Sequence, residues 1–139
     1  MSETIPPHEQ VRPLPLRSLG WGLAMVTGLA AAAAAACALI RTDVATGVAL
    51  GSASALAGVA LGGLVIGPWQ PRQIARWPML LLGAQGISVF GSLLIAALLY
   101  FAAQPPKAAF AASAGGTFIL CWIVLARVLA AWLPTAHAS

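Results

Sequence analysis

The stretch that most limits how this chain can fold runs from Val44 to Trp69, which holds six glycines and no charged residue. In water each glycine disfavours a helix by about 1 kcal/mol relative to alanine. In a bilayer the balance reverses, because an unpaired backbone amide in hydrocarbon costs more than the entropy of a glycine, and a helix pairs all of its amides. The stretch therefore predicts a transmembrane helix.

Small residues recur at intervals of four along this predicted helix. The rows consist of Gly47, Gly51 and Ala55, of Ser54, Gly58 and Gly62, and of Gly63 with Gly67. Small residues at this spacing let a second backbone approach closely, and such packing drives helix association in lipid. We therefore predict that these residues form helix-packing and partner-docking surfaces.

Composition places the whole chain in the membrane. Of its 139 residues 60% are hydrophobic and only 7% are charged, whereas about a quarter of the residues in an average soluble protein are charged. The net charge of +4 comes from cations dispersed between apolar stretches, which argues against a nucleic-acid partner. Neither cysteine has another cysteine or a histidine at ligand spacing, so we expect no metal and no cofactor.

Four apolar stretches reach the roughly 20 residues that span a bilayer. The predicted fold is all-α, with spans at about 18–40, 44–69, 77–103 and 108–133. The proline-rich residues 1–17 are predicted to be a disordered cytoplasmic tail, residues 18–134 the membrane domain, and residues 135–139 a cytoplasmic end. Short connections favour two antiparallel hairpins. A cleaved signal peptide is the alternative for the first stretch, and it is disfavoured because more membrane sequence follows.

The charged residues between the spans predict the orientation. One side collects Arg12, Arg17, Arg72 and Arg76, and the other has Arg41, offset by Asp43, and Lys107. By the positive-inside rule, both termini then face the cytoplasm. Trp69 and Trp77 are predicted to lie at the interface between water and lipid.

The predicted spans contain little that could perform chemistry. Proton relays and ion sites need ionisable residues inside the membrane, and no Asp, Glu, Lys or His lies deep in any span. We therefore expect no enzymatic activity. Gln85 could form a hydrogen bond to another helix or contact a partner, and Arg127 could reach lipid phosphate or pair with a carboxylate of another subunit. Further small-residue rows are Ala84, Ser88 and Ser92 in the third span and Ala108, Ala112 and Gly116 in the fourth.

The layout resembles that of the ATP synthase I-chain family. The similarity covers about Leu16 to Leu133: four short spans with both ends inside, a glycine-rich second helix opened by an aspartate-containing turn, and a last helix reading A-G-G-T-F-I-L-C-W-I-V-L-A-R-V-L. The resemblance implies a multi-pass protein of a bacterial inner membrane that helps the rotor ring of c subunits assemble, with the c subunit and membrane lipid as partners. It favours assembly over ion handling here, because the third span lacks the lysine or glutamate often present in that family.

Two other functions fit the same residues. In a small homo-oligomeric channel or transporter, the glycine rows would pack protomers together, and Gln85, Ser88 and Ser92 would line a pathway. In a structural subunit of an unrelated complex, the same rows would pack against other proteins.

Overall fold

A computed structural model describes the backbone of residues 11–137 and the side chains of residue 11 and residues 13–133. The helices are α1 (Leu16–Ala38), α2 (Thr42–Ile66), α3 (Trp77–Ala103) and α4 (Lys107–His137), and a single 3-10 turn, Ile74–Arg76, precedes α3. All four helices are long and apolar enough to cross a membrane. The predicted all-helical, multi-pass membrane architecture is confirmed at this level.

The predicted end of the second span is wrong by a few residues. Gly67 adopts the left-handed conformation, with φ of 55°, and its N–H donates to the carbonyl oxygen of Leu64 at 3.2 Å. Glycine is the usual residue at this capping position because it has no Cβ to clash. Gly67 therefore terminates α2 and lies outside the helix, so the predicted row of Gly63 and Gly67 does not form.

The end of the last span also differs from the prediction. We expected Pro134 to end the helix, but α4 continues through it to His137. A proline in a helix removes one backbone hydrogen bond and crowds the preceding turn. This cost is confined to the last turns of α4, where little of the helix lies beyond the proline.

Part of the predicted disordered tail is ordered. Residues 1–10 lie outside the described residues, but Val11–Arg12 forms a strand, β1, that pairs antiparallel with β2 (Arg72–Gln73). The side chain of Leu14 is only 4% exposed, and its N–H donates to the carbonyl oxygen of Pro68 at 3.3 Å. The start of α1 is thus fixed to the connection between α2 and α3.

The buried Leu14 belongs to an apolar cluster at this end of the bundle. Its other buried members are Ile66, Trp77 and Ala84, and side chains of α1, α3 and α4 pack around them. Trp77 is 1% exposed, so the prediction that it lies at the lipid interface is wrong. Trp69, by contrast, is 54% exposed.

The central element of the bundle is α2, which packs against α1, α3 and α4. Seven of its eight buried residues are glycine, alanine or serine, and Ile66 is the exception. Because these side chains are small, α3 and α4 can both approach the same length of α2. As a result α3 and α4 pack on α2 far more than on each other.

Candidate functional site

The first glycine row of α2 packs against α4. A Cβ atom added to Gly47 would lie 3.1 Å from the Cβ of Ala109 and 3.3 Å from the backbone nitrogen of Phe110. Two side-chain hydrogen bonds accompany this contact. Ser113 Oγ donates to the carbonyl oxygen of Gly47 at 3.3 Å, and the buried Thr117 Oγ1 donates to Ser52 Oγ at 3.0 Å.

The second row packs against α3. A Cβ atom added to Gly58 would lie 2.7 Å from the carbonyl oxygen of Ser88, and one on Gly62 would lie 3.2 Å from the Cβ of Ser88. Ser92 Oγ also donates to the carbonyl oxygen of Ala55 at 3.4 Å. The small-residue row predicted in the third span therefore meets Gly58 and Gly62 of the same chain.

These contacts change the meaning of the predicted docking residues. The helices α3 and α4 cover the faces that contain Gly47, Gly51, Gly58 and Gly62. These faces therefore pack helices of the same chain against each other. Gly63 differs, because a Cβ atom added there would meet nothing within 4 Å. Any surface that receives another protein has to lie elsewhere.

A groove runs between α3 and α4, with α2 as its floor. Its first part is a cavity of about 280 Å³ that all four helices line, near the end where α2 stops. Gly63 forms part of the floor, and Gln85, Ser88, Cys121 and Trp122 are the wall residues with polar side-chain atoms. Among the residues that the structure describes, none forms a hydrogen bond with the half-buried Gln85 side chain.

The second part of the groove adjoins the first and is lined largely by small residues. It is a cavity of about 190 Å³ with Ser54 and Ala55 in the floor, Ser92 and Ala96 on α3, and Gly115 on α4. The two cavities follow each other along the helices, since Ser88 and Val89 are successive residues and Phe118 and Cys121 are one turn apart. Together we call them the α3–α4 groove.

The α3–α4 groove is suited to binding an apolar partner. Apart from the Cys121 thiol, no titratable side chain lines either cavity. No group of three residues able to hold a metal ion occurs in the part of the chain described by the structure. Small residues in the floor and walls let the backbone of another helix approach closely.

Arg127 lies outside the groove and is exposed on α4. Among the side chains that the structure describes, the one ion pair joins Arg41 to Asp43 at 2.7 Å, and it lies at the other end of the bundle. The guanidinium of Arg127 therefore has no carboxylate partner within the described structure. It is placed to contact lipid or another protein.

The small-residue row noted in the fourth span is not the face of α4 that packs against α2. The predicted row of Ala108, Ala112 and Gly116 is exposed. The face toward α2 carries Ser113, Thr117 and Cys121, which also recur every four residues. This spacing of small polar side chains was the signal that could have identified the buried face.

The comparisons with known proteins add no relative to this description. No protein-family model, no curated protein and no solved structure matches the chain. The similarity to the ATP synthase I-chain family thus remains a prediction from the layout of the spans.

Proposed function

We propose that this chain is a non-catalytic accessory protein of a bacterial inner membrane that assists assembly of the c ring of an F-type ATP synthase. The observation that carries the proposal is the α3–α4 groove, an apolar and small-residue surface. The helix α1 lines its first part, and the exposed Val89, Leu93 and Gly115 line its second part. The choice of the c subunit as partner rests on the resemblance in layout. Helices of c subunits are themselves rich in small residues and suit such a groove.

We further propose that the helices form two antiparallel hairpins with both termini in the cytoplasm. Only residues 39–41 connect α1 to α2, and only residues 104–106 connect α3 to α4. The pairing of β1 with β2 brings the start of α1 to the connection between α2 and α3. At this end lie Arg17, Arg72 and Arg76, whereas the other end has Lys107 and Arg41, and the charge of Arg41 is neutralised by Asp43.

Docking in the groove would combine close packing with one polar contact. A partner helix could lay small residues along Ala96 and Gly115 in the second part of the groove, while the side-chain amide of Gln85 bonds to a polar group of that helix. Hydrogen bonds between helices in membranes contribute about 0.6 to 2 kcal/mol. A single such bond favours reversible docking, which an assembly factor needs because it leaves once the ring is complete.

Two adjacent glycines allow a matched test of the groove. A Cβ atom added to Gly115 or to Gly116 would meet nothing within 4 Å, yet only Gly115 lines the groove. Gly115→Leu is expected to fill the groove and reduce both co-purification with c subunit and the yield of c ring. Gly116→Leu makes the same chemical change toward lipid and should alter neither. Equal behaviour of the two variants would refute docking at this site.

One observation favours a second function, a homo-oligomeric channel or transporter. Gln85 and Ser88 line the same cavity, and Ser92 lines the adjoining one. If these side chains formed a pathway, purified protein in liposomes would be oligomeric and conduct ions, and Gln85→Leu would abolish the flux. A monomer with no measurable flux would exclude this function.

A further inference from the structure

A second cleft lies between α2 and α3 and adjoins the first part of the groove, since Ile66 and Ala84 line both. It has a volume of about 760 Å³, within the range of about 300 to 1,000 Å³ typical of ligand sites. It is lined by Arg72 and Arg76 at one end and by Val65, Met79, Gly83 and Ile87 along the helices. We call it the arginine cleft.

The two guanidinium groups of the arginine cleft lack a carboxylate partner in the described structure. Arg72 Nη2 donates to Gln70 Oε1 at 2.8 Å, which is a neutral partner. The one acidic residue among residues 11–137 is Asp43, which pairs with Arg41 at the other end of the bundle. Arginine binds phosphate through paired N–H donors, so an external phosphate would supply the missing anion.

The rest of the arginine cleft is an apolar trough that faces outward. Met79 is 83% exposed and Val65 is 62% exposed. A Cβ atom added to Gly83 would meet nothing within 4 Å, so this glycine leaves a gap in the wall. The trough therefore offers room for a flexible hydrocarbon chain beside α3.

The length of the trough matches one leaflet of a bilayer. The helical segment from Arg76 to Ile87 rises by about 16 Å at 1.5 Å per residue. The hydrocarbon core of a bilayer is about 30 Å thick, so the trough extends from the interface to about the midplane. A cationic end joined to an apolar trough of this depth reproduces the layout of a phospholipid.

We propose that the arginine cleft binds an anionic phospholipid, with its phosphate against Arg72 and Arg76 and one acyl chain along Met79, Gly83 and Ile87. Basic pockets between helices on the cytoplasmic side of membranes bind anionic head groups in this way. A zwitterionic lipid carries a compensating cation in its head group and gains less from the two arginines. This inference goes beyond the proposed function and does not depend on a c subunit.

The test is native mass spectrometry of the full chain, purified in a mild detergent with equal amounts of phosphatidylglycerol and phosphatidylcholine. Each arginine near a membrane surface adds a modest increment, so the wild type should retain phosphatidylglycerol about tenfold or more over phosphatidylcholine. R72Q/R76Q should abolish this preference. R17Q/K107Q removes the same charge from two exposed cations outside the cleft and should preserve it.

A second pair of variants tests the trough. Gly83→Leu fills the gap and should lower retention of phosphatidylglycerol, whereas Gly86→Leu, at an open position of the same helix that does not line the cleft, should leave it unchanged. If Gly83→Leu fails to fold by circular dichroism, the arginine pair still decides the question.

Several results would overturn the proposal. Equal retention of the two lipids by the wild type would do so, as would equal losses in R72Q/R76Q and R17Q/K107Q, which would show a general charge effect. A dimer that dissociates in R72Q/R76Q would make the cleft an interface between copies. An increase in lipid retention in E3Q/E9Q would show that the chain's own N-terminal carboxylates occupy the cleft in the wild type.

Discussion

Replacing Gly58 with alanine tests whether the glycines of α2 hold this bundle together. The added Cβ atom would lie 2.7 Å from the carbonyl oxygen of Ser88 and close to the backbone nitrogen of Ser92. Cβ atoms in proteins essentially never approach another heavy atom of this kind within 3.0 Å. Both obstacles are backbone atoms, so the whole of α3 has to move away from α2. Overpacking of this kind costs about 1 to 3 kcal/mol.

A matched control isolates this cost. Gly63→Ala makes the same change on the same helix, where the added atom meets nothing within 4 Å. Both variants gain the same helix propensity, about 1 kcal/mol, so the difference between them reports the clash alone. We expect Gly58→Ala to unfold more easily than Gly63→Ala by about 1 to 3 kcal/mol, measured by reversible denaturation in detergent micelles with circular dichroism. Equal stability would mean that Gly58 faces a partner or lipid rather than α3.

Three further predictions concern other contacts of the bundle. Thr117→Val should destabilise the bundle by about 1 kcal/mol because it removes the hydrogen bond to Ser52. Thr117→Ser keeps the hydroxyl and should not destabilise it in the same denaturation assay. Equal stability of the two variants would contradict a role for the hydroxyl. Leu14→Ala should cost about 2 to 5 kcal/mol and speed hydrogen exchange at residues 11–15, and unchanged exchange would show that Leu14 does not anchor β1. Arg127→Leu should leave the yield of c ring unchanged, because the exposed guanidinium reaches lipid phosphate; a lower yield would instead assign it a carboxylate of another subunit.

The helices themselves could be predicted because the bilayer imposes their length and polarity. The span from Trp77 to Ala103 agrees with the prediction at both ends, since Pro78 opens α3 and Pro105 follows it. Two of the three small-residue rows predicted in α2, those of Gly47 and of Gly58, also coincide with its buried faces. The helices that pack against these rows could not be predicted, because lipid and the protein interior are both apolar and periodicity alone does not distinguish a face toward lipid from a face toward another helix.

The errors have specific physical causes. The sequence does not show whether Gly67 lies within α2 or caps it, and only the φ angle of Gly67 distinguishes the two positions. Trp77 follows an arginine and precedes a proline, a pattern typical of the interface, yet it fills the apolar cluster beside Leu14. Leu14 itself lies between two prolines and has no periodic partner in the sequence.

Neither candidate site was visible in the sequence. The α3–α4 groove exists because two helices rest on a third, and this depends on how the small faces of α2 are shared. Gln85, Ser88 and Ser92 were identified as residues of interest, and the structure places Gln85 and Ser88 in one cavity and Ser92 in the next. The position of Gly115 in the groove could not be predicted, because the sequence alone does not distinguish it from the adjacent Gly116.

The most direct measurement of docking in the α3–α4 groove is photocrosslinking in native membranes. A photoreactive amino acid would replace Gly115 in one variant and Gly116 in another, and the products would be identified by mass spectrometry. We expect residue 115 to capture the c subunit and residue 116 to capture lipid alone. Capture of lipid alone from both positions, in membranes where c rings are assembling, would contradict the proposed function.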